Sequence, residues 1–96
     1  MKILAIEKEL PGTDWNIVEK EVMEQEAHDV YKLYLSGQLR EHYFNEKRSA
    51  VLILECDNKV QAQEILAKLP MVQNKLIAFE IMELLPYSGY DRIFNK

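Results

Sequence analysis

The stretch that most constrains this chain is Val51-Leu52-Ile53-Leu54, an unbroken apolar run inside Ser49 to Cys56. Successive side chains of a β-strand point to opposite faces, so Val51 and Ile53 face one way and Leu52 and Leu54 the other. Both faces of such a strand need cover, because a large apolar patch left in water is rare on a soluble monomer. Stacking the second face on another subunit removes that cost. The chain length of 96 residues points the same way. It suits a single domain, residues 1–96, and a domain of this size buries only roughly 60 to 65% of its unfolded surface.

The rest of the chain supplies partners for that strand. Lys2 to Glu7 is short, apolar and β-rich, and the Pro11-Gly12 turn follows it, with Glu7-Lys8-Glu9 near its mouth. From Thr13 to Ser36 the period changes. Trp15, Val18, Val22, Glu26, Ala27, Val30, Leu33 and Tyr34 recur at three- and four-residue steps, which predicts one face of a long helix. Thr13, Asp14 or Asn16 can cap its start, Asn16 with Glu19 resembles a capping box, and Gly37 supplies a left-handed stop.

Leu39 to Asn45 reads as a strand, Glu46-Lys47-Arg48 as a short connection, and Ser49 to Cys56 as the returning arm of an antiparallel hairpin. That turn has no glycine, so its register stays open. Asn58 opens a second helix with Gln61 at the reciprocal capping position and Ala62, Ile65, Leu66 and Leu69 on one face; Pro70 ends it. Lys75 to Leu85 is a fourth strand. Residues 86–96 form an aromatic tail whose Tyr87, Tyr90, Ile93 and Phe94 are too apolar to dangle in water, so it is expected to dock on a neighbouring subunit. The order β-α-β-β-α-β predicts an α+β, ferredoxin-like domain: a four-stranded antiparallel sheet with two helices on one face.

Composition narrows the function classes. A chain that is 48% apolar and 29% charged fits an ordinary soluble globular protein. Its longest apolar runs fall far short of the ~20 residues of a bilayer span, and the Met1-Lys2-Ile3-Leu4 start has no long export-type apolar region. No membrane association is expected. With Cys56 the single cysteine, neither an intrachain disulfide nor a thiolate zinc cluster can form, which suits a reducing cytoplasm. The net charge is −4 and the 12 Lys and Arg are scattered, which argues against a nucleic-acid partner. His28, His42 and Cys56 match no recurrent zinc or iron spacing, and no phosphate loop, nucleophile elbow or Cys-His signature is present. Neither a metal nor any other cofactor is expected.

Three stretches carry a resemblance. Leu33-Tyr34-x-x-Gly37-x-x-Arg40-Glu41-x-Tyr43, then Ala50 to Cys56, then Leu69-Pro70-Met71-Val72 look like the muconolactone delta-isomerase-like family. The likeness implies a dimeric α/β barrel in which two four-stranded sheets pack together, or a ring of such dimers, acting on a small organic molecule without a cofactor. Related barrels host isomerases, cofactor-free monooxygenases, haem-degrading enzymes and modules with no known activity, so the fold alone does not set the reaction.

Isomerising a muconolactone needs a proton carrier and a donor that stabilises enolate-like charge. Arg40, at the start of the second strand, can clamp a substrate carboxylate or pair with Glu55 across the hairpin. His42 is the natural proton shuttle, or else lines the sheet surface. His28 has Glu24 four residues earlier and reads as a solvated ion pair. Glu26 interrupts the apolar stripe of the first helix and Glu55 ends an apolar strand, so either can be a partly buried base with a raised pKa, or reach water or a partner instead. Tyr34 and Tyr43 are candidate substrate-binding hydroxyls, or simply packed rings. The leading reading is a cofactor-independent, isomerase-like enzyme for a small organic acid or lactone. A non-catalytic binding or assembly module and a cofactor-free monooxygenase of the same barrel are the alternatives.

Overall fold

In a computed structural model, which describes residues 1–94, the apolar run at 51–54 lies inside strand β3 (Ala50–Glu55). Asn95 and Lys96, the end of the expected tail, lie outside the described residues. Strand β3 pairs antiparallel with β1 (Lys2–Glu9) on one side and β2 (Leu39–Phe44) on the other. Strand β4 (Ile77–Leu84) pairs antiparallel with the far edge of β1, so the sheet order is β2-β3-β1-β4. Helices α1 (Lys20–Ser36) and α2 (Lys59–Ala67) complete the expected β-α-β-β-α-β order, and two short helices are added, α3 (Pro70–Gln73) and α4 (Asp91–Phe94).

Strand register sorts the apolar residues between two faces. Ile3 pairs with Leu54 and Ala5 with Leu52, and all four are buried against Ala62, Leu66 and Leu69 from the helical side. Val30 and Leu33 of α1 pack on the same cluster. The opposite face carries Leu4 against Ile53, Ile6 against Val51, and Met82 beside Leu4. These residues stay partly exposed, with Met82 at 41%. Both sides of β3 are thus apolar, and the helices cover only one of them.

The first helix starts later than its periodicity suggests. Asp14 accepts a hydrogen bond from the Asn16 backbone N–H at 3.0 Å and caps a single 3-10 turn, Trp15–Ile17, after which Val18 and Glu19 are extended. A short polar side chain bonded to the backbone two residues on offers a local alternative to the helix. Thr13 adds a tether, its hydroxyl donating to the Leu76 carbonyl at 2.9 Å. The Asn16–Glu19 capping box therefore does not form, and Glu19 itself occupies the cap position without a side-chain bond. At the other end Gly37 takes φ 84° and its N–H reaches the Tyr34 carbonyl, as expected.

Asn58 accepts from the Gln61 N–H at 2.8 Å, while Gln61 reaches back to the Asp57 N–H, one residue earlier than in the usual capping box. Pro70 stands past the end of α2 and also opens α3, where its missing N–H costs nothing. The hairpin register pairs Leu39 with Leu54 and Glu41 with Ile53, leaving Arg40 in a bulge between them. Beyond β4 the chain stays exposed. Tyr87 and Tyr90 meet edge to face at 5.2 Å, and Tyr87, Tyr90, Ile93 and Phe94 all stay largely in solvent. No described helix is long and apolar enough to cross a membrane.

Candidate functional site

Between α1, α3 and the helix-facing side of the sheet lies a cavity of about 470 Å³. Helical spacing builds one wall, because Glu26, Val30 and Tyr34 stand four residues apart along one face of α1. The sheet builds the floor with Glu7 of β1, His42 and Phe44 of β2, Leu52 of β3 and Phe79 of β4; Met71 of α3 closes an end. Strand alternation explains the choice. His42 pairs with the buried Leu52, and Glu7 pairs with Phe79, so both share the face of the core. A second hollow of about 430 Å³, between the Pro11–Asp14 turn and Asn74–Leu76, holds none of the candidate catalytic residues.

Glu26 is the buried charged residue of the described chain, at 9% exposure. Its Oε1 accepts the Met71 backbone N–H at 2.9 Å. Burial pushes its carboxyl above the ordinary value; the Met71 bond opposes that, and the charges of Glu7 and Asp29 add to it. Glu7 is held in a similar way, its Oε1 accepting the Ala50 N–H at 3.2 Å. The His42 ring packs edge to face on Tyr34, with centroids 5.1 Å apart. A buried carboxyl and an imidazole lining one apolar cavity can each take and return protons.

The structure brings four of the six candidates to this cavity and leaves two outside. Glu26, His42, Tyr34 and Tyr43 line it. Tyr43 does so with its hydroxyl turned elsewhere, since it pairs with Val51 of the opposite face and donates to Glu41 at 2.9 Å. That carboxylate raises the Tyr43 pKa. Arg40 and Glu55 are absent from the lining. Arg40 donates from Nε to the Gly37 carbonyl at 2.6 Å, and the bulge keeps it out of step with Glu55, whose Oε2 lies 3.5 Å from the Met1 amino group instead. The expected Arg40–Glu55 pair is thus replaced by two other contacts. Glu7 was not singled out by the sequence. Its even spacing from Ile3 and Ala5 was the available signal, usable only once the helix-covered face of β1 is known. Among the described residues, no group of three or more His, Cys, Asp or Glu side chains is placed to hold a metal ion.

Sheet order, the helices on one face and the cavity between them define the subunit fold of the dimeric α/β barrels. A solved example with this fold is 5-chloro-2-hydroxyhydroquinone dehydrochlorinase (TftG) from Burkholderia phenoliruptrix AC1100, in complex with 2,5-dihydroxybenzoquinone. It is 14% identical and aligns with a TM-score of 0.62 over 93% of this chain and 98% of that one. No protein-family model and no curated protein sequence matches the chain.

Proposed function

We propose that this chain is a subunit of a homodimeric, cofactor-independent enzyme that moves a proton on a small ring compound such as a lactone. Glu26 and His42 are its proton carriers and Tyr34 lines the substrate pocket. The observation that carries this reading is the Glu26 carboxyl, buried in a largely apolar cavity that His42 also lines. A desolvated carboxyl has its proton affinity raised toward neutrality, where general acid–base catalysis is most effective.

The likeness to muconolactone delta-isomerases supports the isomerase form of this reading, since Tyr34, Tyr43 and Met71 of the matching stretches border the cavity. TftG, named for a reaction of a small hydroxylated ring compound, supports a substrate of similar size. Dimerisation through the second sheet face is supported by its partly exposed Leu4, Ile6, Val51 and Ile53. The binding-module reading draws on one observation: the Glu26–Met71 bond gives Glu26 a structural task.

Proton exchange decides between them. A neutral alkyl-substituted 2-butenolide in D2O should exchange the hydrogen on the ring carbon that bears the ring oxygen, whose anion is conjugated through the double bond with the carbonyl, followed by NMR, in the presence of the protein. Glu26→Gln should slow the exchange by about 100-fold while thermal unfolding remains cooperative. Absence of exchange with such neutral butenolides would set the enzyme reading aside in favour of the binding module.

A further inference from the structure

The cavity holds a second carboxylate that the proposed reaction leaves without a task. Glu7 and Glu26 each have one oxygen fixed by a backbone N–H, from Ala50 and Met71 respectively. The other oxygen of each has no protein donor among the described residues, and neither is sealed from solvent, unlike Oε2 of Glu55. Two acceptors are therefore free to meet a ligand. Among the described residues lining the cavity there is no lysine or arginine. The remaining walls are mostly apolar or aromatic, with Tyr31, Tyr34, Phe44 and Phe79 among them.

We infer that Glu7 and Glu26 together select an uncharged ring ligand that presents hydroxyl hydrogens, with Glu7 as a specificity-determining residue. The inference rests on the proposed cavity being the binding site and deepens it by naming the ligand class. A ligand carboxylate would bring a further acidic group against these two in a partly desolvated space whose lining holds no cation, Lys47 and Arg48 lining only the adjoining hollow beyond Glu7. An ammonium group would be attracted, but its own desolvation opposes it. A neutral O–H donor satisfies a free carboxylate oxygen without burying another ion, and its ring packs on the aromatic walls.

The test is equilibrium binding of three probes of similar size, catechol, benzoate and benzylamine, to the full chain. Calorimetry gives the affinities, and the amide shifts of Ala50 and Met71, whose N–H groups bond the two carboxylates, report the location. Catechol should bind at least about tenfold more tightly than benzoate, as expected for hydrogen bonds to charged acceptors. It should also exceed benzylamine and move both amides. Glu7→Gln keeps an acceptor for Ala50 but removes the charge, so it should weaken catechol and strengthen benzoate, narrowing their ratio. A change that only loosened the fold would weaken both.

Benzoate binding as tightly as catechol, preference for benzylamine, binding that leaves both amides unmoved, or no binding of any probe at millimolar concentration would each overturn the inference. The wild-type series does so without depending on the variant's folding. Lactone exchange is read separately, so a selective but inactive protein would count against the reaction alone.

Discussion

Glu26 on α1 and Met71 on α3 are joined by a 2.9 Å hydrogen bond, the Met71 backbone N–H donating to Glu26 Oε1 across 45 positions of sequence. It anchors the short α3 helix to the long helix and fixes the carboxyl at the cavity wall. The same contact makes stability depend on pH. Burial holds the folded-state pKa of Glu26 above the ordinary 4.5, so the folded form binds the proton more tightly than the unfolded form. Its contribution is fully present below 4.5 and is lost as pH rises through the folded value. Glu26→Gln removes the ionisation and can still accept from Met71. Urea titrations should find the variant gaining on wild type as pH rises from 4.5 to 7, and a constant difference would contradict this assignment.

Leu54 lies in the closed layer between sheet and helices, with no exposure. Leu54→Ala should cost about 3 kcal/mol, the lost transfer energy plus a residual void. The urea midpoint should fall with little change in slope.

Gly37 ends α1 at φ 84°, and a Cβ there would meet no atom within 4 Å. The cost of Gly37→Ala is therefore conformational rather than steric crowding by neighbours, about 1 kcal/mol. Gly37→Asn should lose less, because asparagine tolerates the left-handed region. Equal losses in the two variants would point to some role other than backbone conformation.

Ile53 pairs with Leu4 at the centre of the face that the helices leave uncovered. Ile53→Lys should convert a wild-type dimer to monomer in light scattering at micromolar concentration, because two such lysines would meet in a desolvated contact. A monomeric wild type would defeat the dimer proposal directly.

Cys56 is 8% exposed, and burial pushes its thiol up. Since the thiolate is the reactive form, alkylation by iodoacetamide at pH 8 should run more than about tenfold slower than for the unfolded chain.

The fold was legible where one physical signal dominates. The two-sided run at 51–54 marked the central hairpin strand, the stripe through Val22, Val30 and Leu33 marked α1, and Gly37 marked its end. The start of α1 was not, because Asp14 and Thr13 form local and long-range bonds that outcompete about two more helical turns' worth of periodicity, and the Leu76 partner of Thr13 is remote in sequence. The bulge at Arg40 was hidden for a similar reason: alternation assumes an unbroken ladder, and one extra residue separates Arg40 from Glu55. In the candidate site, Glu26 stood out as a charge in an apolar stripe. Glu7 did not, since a glutamate at a strand end looks like ordinary solvation until the neighbouring helix is placed.

Strand β1 lies between β3 and β4, so that Lys2 pairs with both Glu55 and Leu84. The first strand to be synthesised is therefore the last to be enclosed. As the chain leaves the ribosome, Ile3, Leu4, Ala5 and Ile6 emerge without either neighbour, and the second neighbour arrives only after both long helices have been made. Closing such distant contacts is slow compared with forming local helices. During that interval the sheet's future centre is an unpaired apolar strand, the stage at which a chain of this topology is most open to aggregation.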